Sequence, residues 1–102
     1  MGTISTGTIL VVENEGALRL TLSLLLRKAG HAVREAPHGE AGLELLAREP
    51  VDLVITDLRM EPVDGLAVLR TVKRTSPQTE VLVLAGFGSI RVGGRGDEAR
   101  RL

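Results

Sequence analysis

The stretch Asp52–Met60, DLVITDLRM, decides how this chain is read. Val51, Leu53, Val54 and Ile55 make an aliphatic run broken only by Asp52, and Thr56 carries it to Asp57. A short β-branched run bounded by polar residues is a strand buried on both faces, as a parallel sheet covered by helices requires. Such strands present chemistry at their carboxyl ends. Here that end carries Asp57, and a loop, Leu58–Asp64, follows it. Upstream, Thr8–Val12 (TILVV) is a second strand of the same kind, and it runs abruptly into Glu13-Asn14-Glu15. Between them lie a helix with Leu18, Leu22, Leu25, Leu26 and Ala29 at helical spacing, a Gly30 stop and a weaker strand, Ala32–Ala36. The turn Pro37-His38-Gly39 then opens a helix, Glu40–Arg48, with Leu43, Leu46 and Ala47 on one face, and Pro50 ends it. Downstream, a helix with Leu66, Leu69 and Val72 inward closes at Pro77, and Glu80–Ala85 is a further apolar strand before Gly86-Phe87-Gly88.

Strand and helix alternate throughout. That order implies right-handed crossovers and one α/β domain, a parallel sheet with helices on both faces. The 102 residues allow a single domain. Residues 1–7 read as a loose lead-in, 8–90 as the domain, and 91–102 as an atypical tail rich in Gly and Arg. The formal charge is zero; residues 91–102 carry a balance of +2 and the first 90 residues −2. No bulk field draws the chain to nucleic acid or an anionic membrane. One aromatic residue, Phe87, rules out a stacking platform, and the absence of Cys rules out disulfides, thiolate metal sites and a Cys nucleophile. No apolar run approaches the ~20 residues needed to span a bilayer, and no charged-then-apolar leader opens the chain. The expectation is a cytoplasmic protein.

Acids at two strand ends point to a hard-cation site. Mg²⁺ takes oxygen ligands, commonly one or two carboxylates with waters and phosphate oxygens. A carboxylate can also accept a phosphoryl group, whose charge such a cation neutralises. Other candidates carry less. His31 follows a helix stop and His38 sits in a turn, neither with a partner at ligand spacing. Gly86-Phe87-Gly88 is no dinucleotide fingerprint, since Arg91 holds the third glycine position. Arg95-Gly96-Asp97 reads as a chance tripeptide.

ILVVENE (Ile9–Glu15), the amphipathic helix ending at Ala29-Gly30, DLVITDLRM (Asp52–Met60) and VDGLAVLR (Val63–Arg70) together resemble the receiver domain of two-component response regulators. LAGFGSI (Leu84–Ile90) is most similar to the receivers of sigma-54-type transcriptional activators. The resemblance runs from about Thr8 to Ile90. It implies the flavodoxin-like three-layer α/β/α fold with sheet order 2-1-3-4-5, a phosphoacceptor aspartate charged by a histidine kinase, a requirement for Mg²⁺, and a signalling domain rather than an enzyme. Asp57 matches the phosphoacceptor. Glu13 and Asn14 occupy the family's acidic pair, and Arg59 matches the residue whose backbone carbonyl completes the metal shell. Asp64-Gly65 matches the turn that starts the third helix.

The chain departs from that pattern in several places. Asn14 stands where the family has a metal-binding acid, so the Mg²⁺ site loses one charge. Ala85 stands at the switch position of a Ser or Thr and brings no hydroxyl. Glu61 replaces the family's Pro, with Pro62 one place later. The family's fifth strand, the Lys before it and the last helix have no counterpart, which leaves order 2-1-3-4. Codons can be chosen for Gly94–Leu102 that, shifted by one base, read Val-Glu-Ala-Met-Arg-Arg-Gly-Ala, the usual sequence of a receiver's fourth helix; a frameshift is the explanation expected for the tail. An uncovered sheet face, an open fourth-strand edge, and Leu20 and Leu24 on the first helix predict self-association through that edge or that helix. Two functions follow: a phosphorelay receiver with a histidine kinase as partner, or a non-switching receiver acting only by protein–protein contact. A phosphatase with an Asp-x-Asp nucleophile motif is disfavoured, because Arg59 holds the second position.

Overall fold

The computed structural model of the chain describes residues 7–85 and the backbone of residues 89–92. Its elements are β1 (Thr8–Val12), α1 (Gly16–Lys28), β2 (Ala32–Ala36), α2 (Gly39–Arg48), β3 (Leu53–Asp57), α3 (Gly65–Thr75), β4 (Glu80–Leu84) and β5 (Ser89–Val92). The sheet order is β2-β1-β3-β4-β5, with the first four strands parallel. The parallel β2-β1-β3-β4 order is the flavodoxin-like arrangement that the receiver resemblance implied. The lead-in before Gly7, Gly86-Phe87-Gly88 and residues 93–102 lie outside the described residues.

The two central strands are buried because their side chains point alternately into two cores. Leu10, Val12, Val54, Val81 and Val83 face α2 and α3, where Val68, Val72 and Met60 complete one cluster. Ile9, Val11, Val33 and Ile55 face α1, where Leu22 and Leu26 pack against them. Two helix starts and one helix stop have a clear local cause. Asp64 caps α3 by accepting the Ala67 N–H at 2.9 Å. His38 does the same for α2, its Nδ1 accepting from the Ala41 N–H at 3.1 Å. Gly30 ends α1 with φ 101°, a left-handed conformation that glycine adopts without penalty. His31 also acts locally, its Nδ1 accepting the Gly7 N–H at 3.3 Å.

Three expectations change. The fourth strand is not an open edge: β5 pairs with β4 antiparallel, Leu84 opposite Ser89 and Val81 opposite Val92. Four residues separate these strands, enough for an antiparallel return and too few for the parallel crossover of about a dozen residues. Secondly, Leu18 and Leu25 are not inward; they are 37% and 61% exposed. The buried centre of α1 is Ser23, which turns the helix away from the face chosen by leucine spacing. Thirdly, Leu66 is exposed, and Val68 and Val72 form the buried face of α3.

Candidate functional site

Register places the acids before any side chain is considered. Val12 of β1 pairs with Thr56 of β3, so Glu13 and Asp57 are the next residues on adjacent parallel strands. Asp57 itself pairs with Leu84 of β4, which sets Ala85 just beyond, beside Leu58. The Leu58 N–H donates to the Leu84 carbonyl at 2.8 Å and holds that end of the sheet together.

Glu13 inherits the burial of the strand it ends and is 1% exposed. Its Oε2 accepts the Glu15 N–H at 3.0 Å. Its Oε1 is buried and has no hydrogen-bond donor. Burial pushes the Glu13 carboxyl above the ordinary value of 4.5; the Glu15 N–H opposes this, and the neighbouring Asp57 carboxylate adds to the rise by its charge and by accepting from a protonated Glu13. The two carboxyls are therefore near enough for the charge of one to bear on the other. Asp57 is half-buried and Asn14 is exposed at the mouth of the site.

The loop that follows Asp57 is set by close packing. A Cβ on Gly65 would collide with the Asp57 carbonyl oxygen and lie 3.0 Å from the Leu58 Cα, so only glycine lets α3 start this close to β3. The Gly65 N–H donates to the Leu58 carbonyl at 3.0 Å. The Glu61–Pro62 peptide is cis. Asn14, Arg59, Glu61, Asp64 and Leu66 line an open cleft of about 950 Å³ next to the acids.

The donor set fits a hard divalent cation. Glu13 Oε1 needs either a proton or a cation, and Asp57 supplies a second carboxylate beside it. Among the described residues no group of three or more His, Asp or Glu side chains gathers. A cation here would draw on two carboxylates, the Asn14 amide oxygen and the Arg59 carbonyl, within the ligand habits of Mg²⁺.

Two residues of the site are not evident from sequence. Arg19 reaches back from α1 to donate to the Glu13 carbonyl at 2.7 Å, and its Nε lies 3.6 Å from Glu35. This ties the β1–α1 turn to β2; a basic residue one turn into a helix that follows an acidic strand end is the available signal. Leu66 walls the cleft from the first turn of α3, a place that its helical spacing alone does not reveal.

A parallel β2-β1-β3-β4 sheet with two carboxyls meeting at adjacent strand ends defines a receiver-type domain. Residues 9–99 match the family described as response regulator receiver domain, and the chain belongs to that family. It is 39% identical over 82 residues to the transcriptional regulatory protein GlrR of Escherichia coli K12, covering 80% of this chain and 18% of GlrR. It is 29% identical over 92 residues to the response regulator receiver protein CpdR of Brucella abortus, covering 90% of this chain and 77% of CpdR. The N-terminal domain of a response regulator receiver protein from Methanoculleus marisnigri superposes with a TM-score of 0.71 at 38% identity, covering 79% of this chain and 68% of that one. The chain thus spans about a fifth of GlrR's length. No helix among the described residues is long and apolar enough to cross a membrane.

Proposed function

We propose that this chain is the phosphoacceptor module of a two-component relay, receiving a phosphoryl group on Asp57 from the phosphohistidine of a histidine kinase. The observation that carries the reading is the orphaned Oε1 of buried Glu13 beside Asp57. A fold that leaves a carboxylate oxygen dry and undonated at the mouth of a sheet has a place for a cation. In the transfer, an Asp57 carboxylate oxygen forms an O–P bond as the N–P bond of the phosphoimidazole breaks. The electron pair returns to the ring nitrogen, which takes a proton from solvent. Mg²⁺, when bound, supplies the positive charge that lets three phosphoryl oxygens approach two carboxylates. Glu13 and Asp57 would hold it, with the Arg59 carbonyl and the Asn14 amide.

Arg19 keeps the acidic turn in place through the Glu13 carbonyl. Arg59 sits where an Asp-x-Asp phosphatase has its general acid, which favours a single acceptance over turnover. Action in the cytoplasm and a link to transcription belong to the same proposal, supported by relatives named as transcriptional regulators.

Incubation with acetyl phosphate and Mg²⁺, followed by intact mass measurement and peptide mapping, tests it. One phosphoryl adduct on Asp57, absent in Asp57→Asn and without Mg²⁺, is expected. No adduct under any kinase or small-molecule donor refutes the reading. A second reading, a receiver that works only through protein contact, is favoured by Ala85, which offers no hydroxyl to a phosphoryl oxygen. It predicts that partner binding is unchanged by beryllofluoride.

A further inference from the structure

Helix α1 begins with no side-chain cap: Glu15 precedes it without a capping hydrogen bond, and both Asn14 and Glu15 are exposed. The turn is fastened by Arg19, one helical turn further on. Its backbone N–H donates to the Glu15 carbonyl at 2.9 Å and its Nη1 to the Glu13 carbonyl at 2.7 Å, so one residue grips both ends of the turn. Arg19 is itself anchored on β2. Alternation along that strand sends Val33 and Glu35 toward α1, and Arg19 Nε lies 3.6 Å from Glu35 Oε1. Glu35 is steadied from the far side, where Arg27 Nη1 lies 3.4 Å from Oε2 and Arg27 Nη2 donates to the Val33 carbonyl at 3.2 Å. The next residue of β2, Ala36, accepts the Glu13 N–H at 3.0 Å. Glu35, Ala36, Glu13 and Arg19 thus close a ring of contacts around the Glu13 main chain. Its N–H is held from β2 directly, and its carbonyl through Arg19.

We infer that Arg19 and Glu35 are positioning residues for the cation site, acting through the Glu13 main chain, with Glu35 two strands away from Asp57. The inference rests on the reading of Glu13 and Asp57 as cation ligands. Glu13 is buried, so its carboxyl follows its backbone and cannot offset a shifted main chain by swinging through solvent. Asn14, the next residue, moves with the same turn. Partners that orient metal ligands without touching the metal commonly account for about 10- to 100-fold in affinity. Charge alone predicts the opposite sign for Arg19. A guanidinium this close to a cation site repels the cation, so deleting one that had no positional role would tighten binding. Position and charge are therefore separable by sign at Arg19. At Glu35 they share a sign, and a double variant separates them: a residue that acts through Arg19 loses its effect once Arg19 is gone, whereas the pull of its charge persists.

Calorimetric Mg²⁺ titration of the full chain, with amide exchange of the metal-free protein followed by NMR, tests the inference. Arg19→Met should weaken Mg²⁺ by about tenfold although it removes a positive charge. Glu35→Gln should weaken it by a smaller factor, and by nothing further in the Arg19→Met background. Arg34→Met is the control: it breaks the 2.6 Å ion pair with Glu49 on the other face of β2 and should leave Mg²⁺ affinity unchanged. In the metal-free protein the Glu15 N–H, which donates to Glu13 Oε2, should exchange faster in Arg19→Met and Glu35→Gln. The Ala41 and Ala67 amides at the other two helix starts should be unaffected. Mg²⁺ binding by Arg19→Met as tight as in the wild type, or tighter, overturns the inference. So does a Glu35→Gln effect of equal size with and without Arg19, an equal loss from Arg34→Met, or an unchanged Glu15 amide. A wild type that binds no Mg²⁺ sinks the cation reading instead, and amide exchange then decides the positioning role alone.

Discussion

Replacing Glu13 by Gln changes charge and little else, and Mg²⁺ should cancel or reverse its effect on stability. In the metal-free protein, Oε1 of Glu13 is buried without a donor while Oε2 accepts the Glu15 N–H. Glutamine keeps that acceptor and places an NH₂ toward Asp57. A hydrogen bond to a charged group is worth about 1.5–3 kcal/mol, so Glu13→Gln should stabilise the metal-free fold at pH 7 by about 1–3 kcal/mol. For a chain of this length each kcal/mol moves the melting temperature by roughly 4–8 °C. The gain is pH-dependent. Glu13's folded pKa lies above 4.5, so below 4.5 both folded and unfolded forms are protonated and the wild type bears no penalty. As pH rises through the window between 4.5 and the raised folded value, the folded wild type must surrender a proton it binds more tightly than the unfolded chain does, and stability falls. The advantage of the variant is complete above that window and vanishes below it. With Mg²⁺ at ~100 times its dissociation constant the wild type gains about 2.7 kcal/mol, and the variant should gain little. Thermal unfolding followed by circular dichroism, at pH 4 and 7 with and without Mg²⁺, reads all four combinations. A variant less stable than wild type at pH 7, or equally stabilised by Mg²⁺, refutes the reasoning.

Asn14→Asp restores a third acid at the mouth of the site and should tighten Mg²⁺ by about tenfold, measured by calorimetric titration, with a small loss of stability in its absence. Gly65→Ala forces a methyl group onto the Asp57 carbonyl and the Leu58 Cα; neither is a flexible side-chain end, so unfolding in urea should show a loss of about 2–3 kcal/mol together with loss of Mg²⁺ binding. Ser23→Ala removes a fully buried hydroxyl that has no partner. It should stabilise the fold by about 1 kcal/mol, visible as a higher urea midpoint with unchanged slope.

The parallel sheet was legible because its strands are buried on both faces: Thr8–Val12 and Val51–Thr56 can be little else. The meeting of Glu13 and Asp57 was legible for the same reason, since a parallel register carries the residues after two neighbouring strands to one place. Helix faces were not. Leucine at 18, 22, 25 and 26 defines a wide stripe, of which Leu22 and Leu26 pack on the sheet while Leu18 and Leu25 stay exposed. Ser23, unremarkable by hydropathy, occupies the buried centre on the side of α1 where Arg19 and Arg27 pair with Glu35. The strand at residues 89–92 was hidden because Ser-Ile-Arg-Val is short and its partner is set by a tight antiparallel return rather than by a crossover.

What the site gains from Glu13 depends on what its other sides lack. Asn14 contributes no charge and Ala85 no hydroxyl, so a cation or phosphoryl group at Asp57 would be held chiefly from below, by the one buried acid. Burial makes that acid costly in the metal-free fold, and the same burial strengthens its attraction for a cation by excluding water. A receiver-type site with an exposed acid pair could lose one member and still attract Mg²⁺ through its loop. Here the Glu15 N–H, the Arg19 clamp and the register with Thr56 leave Glu13 no route to solvent. Metal affinity and metal-free stability are therefore set against each other at a single residue, and any substitution that relaxes one should be paid back in the other.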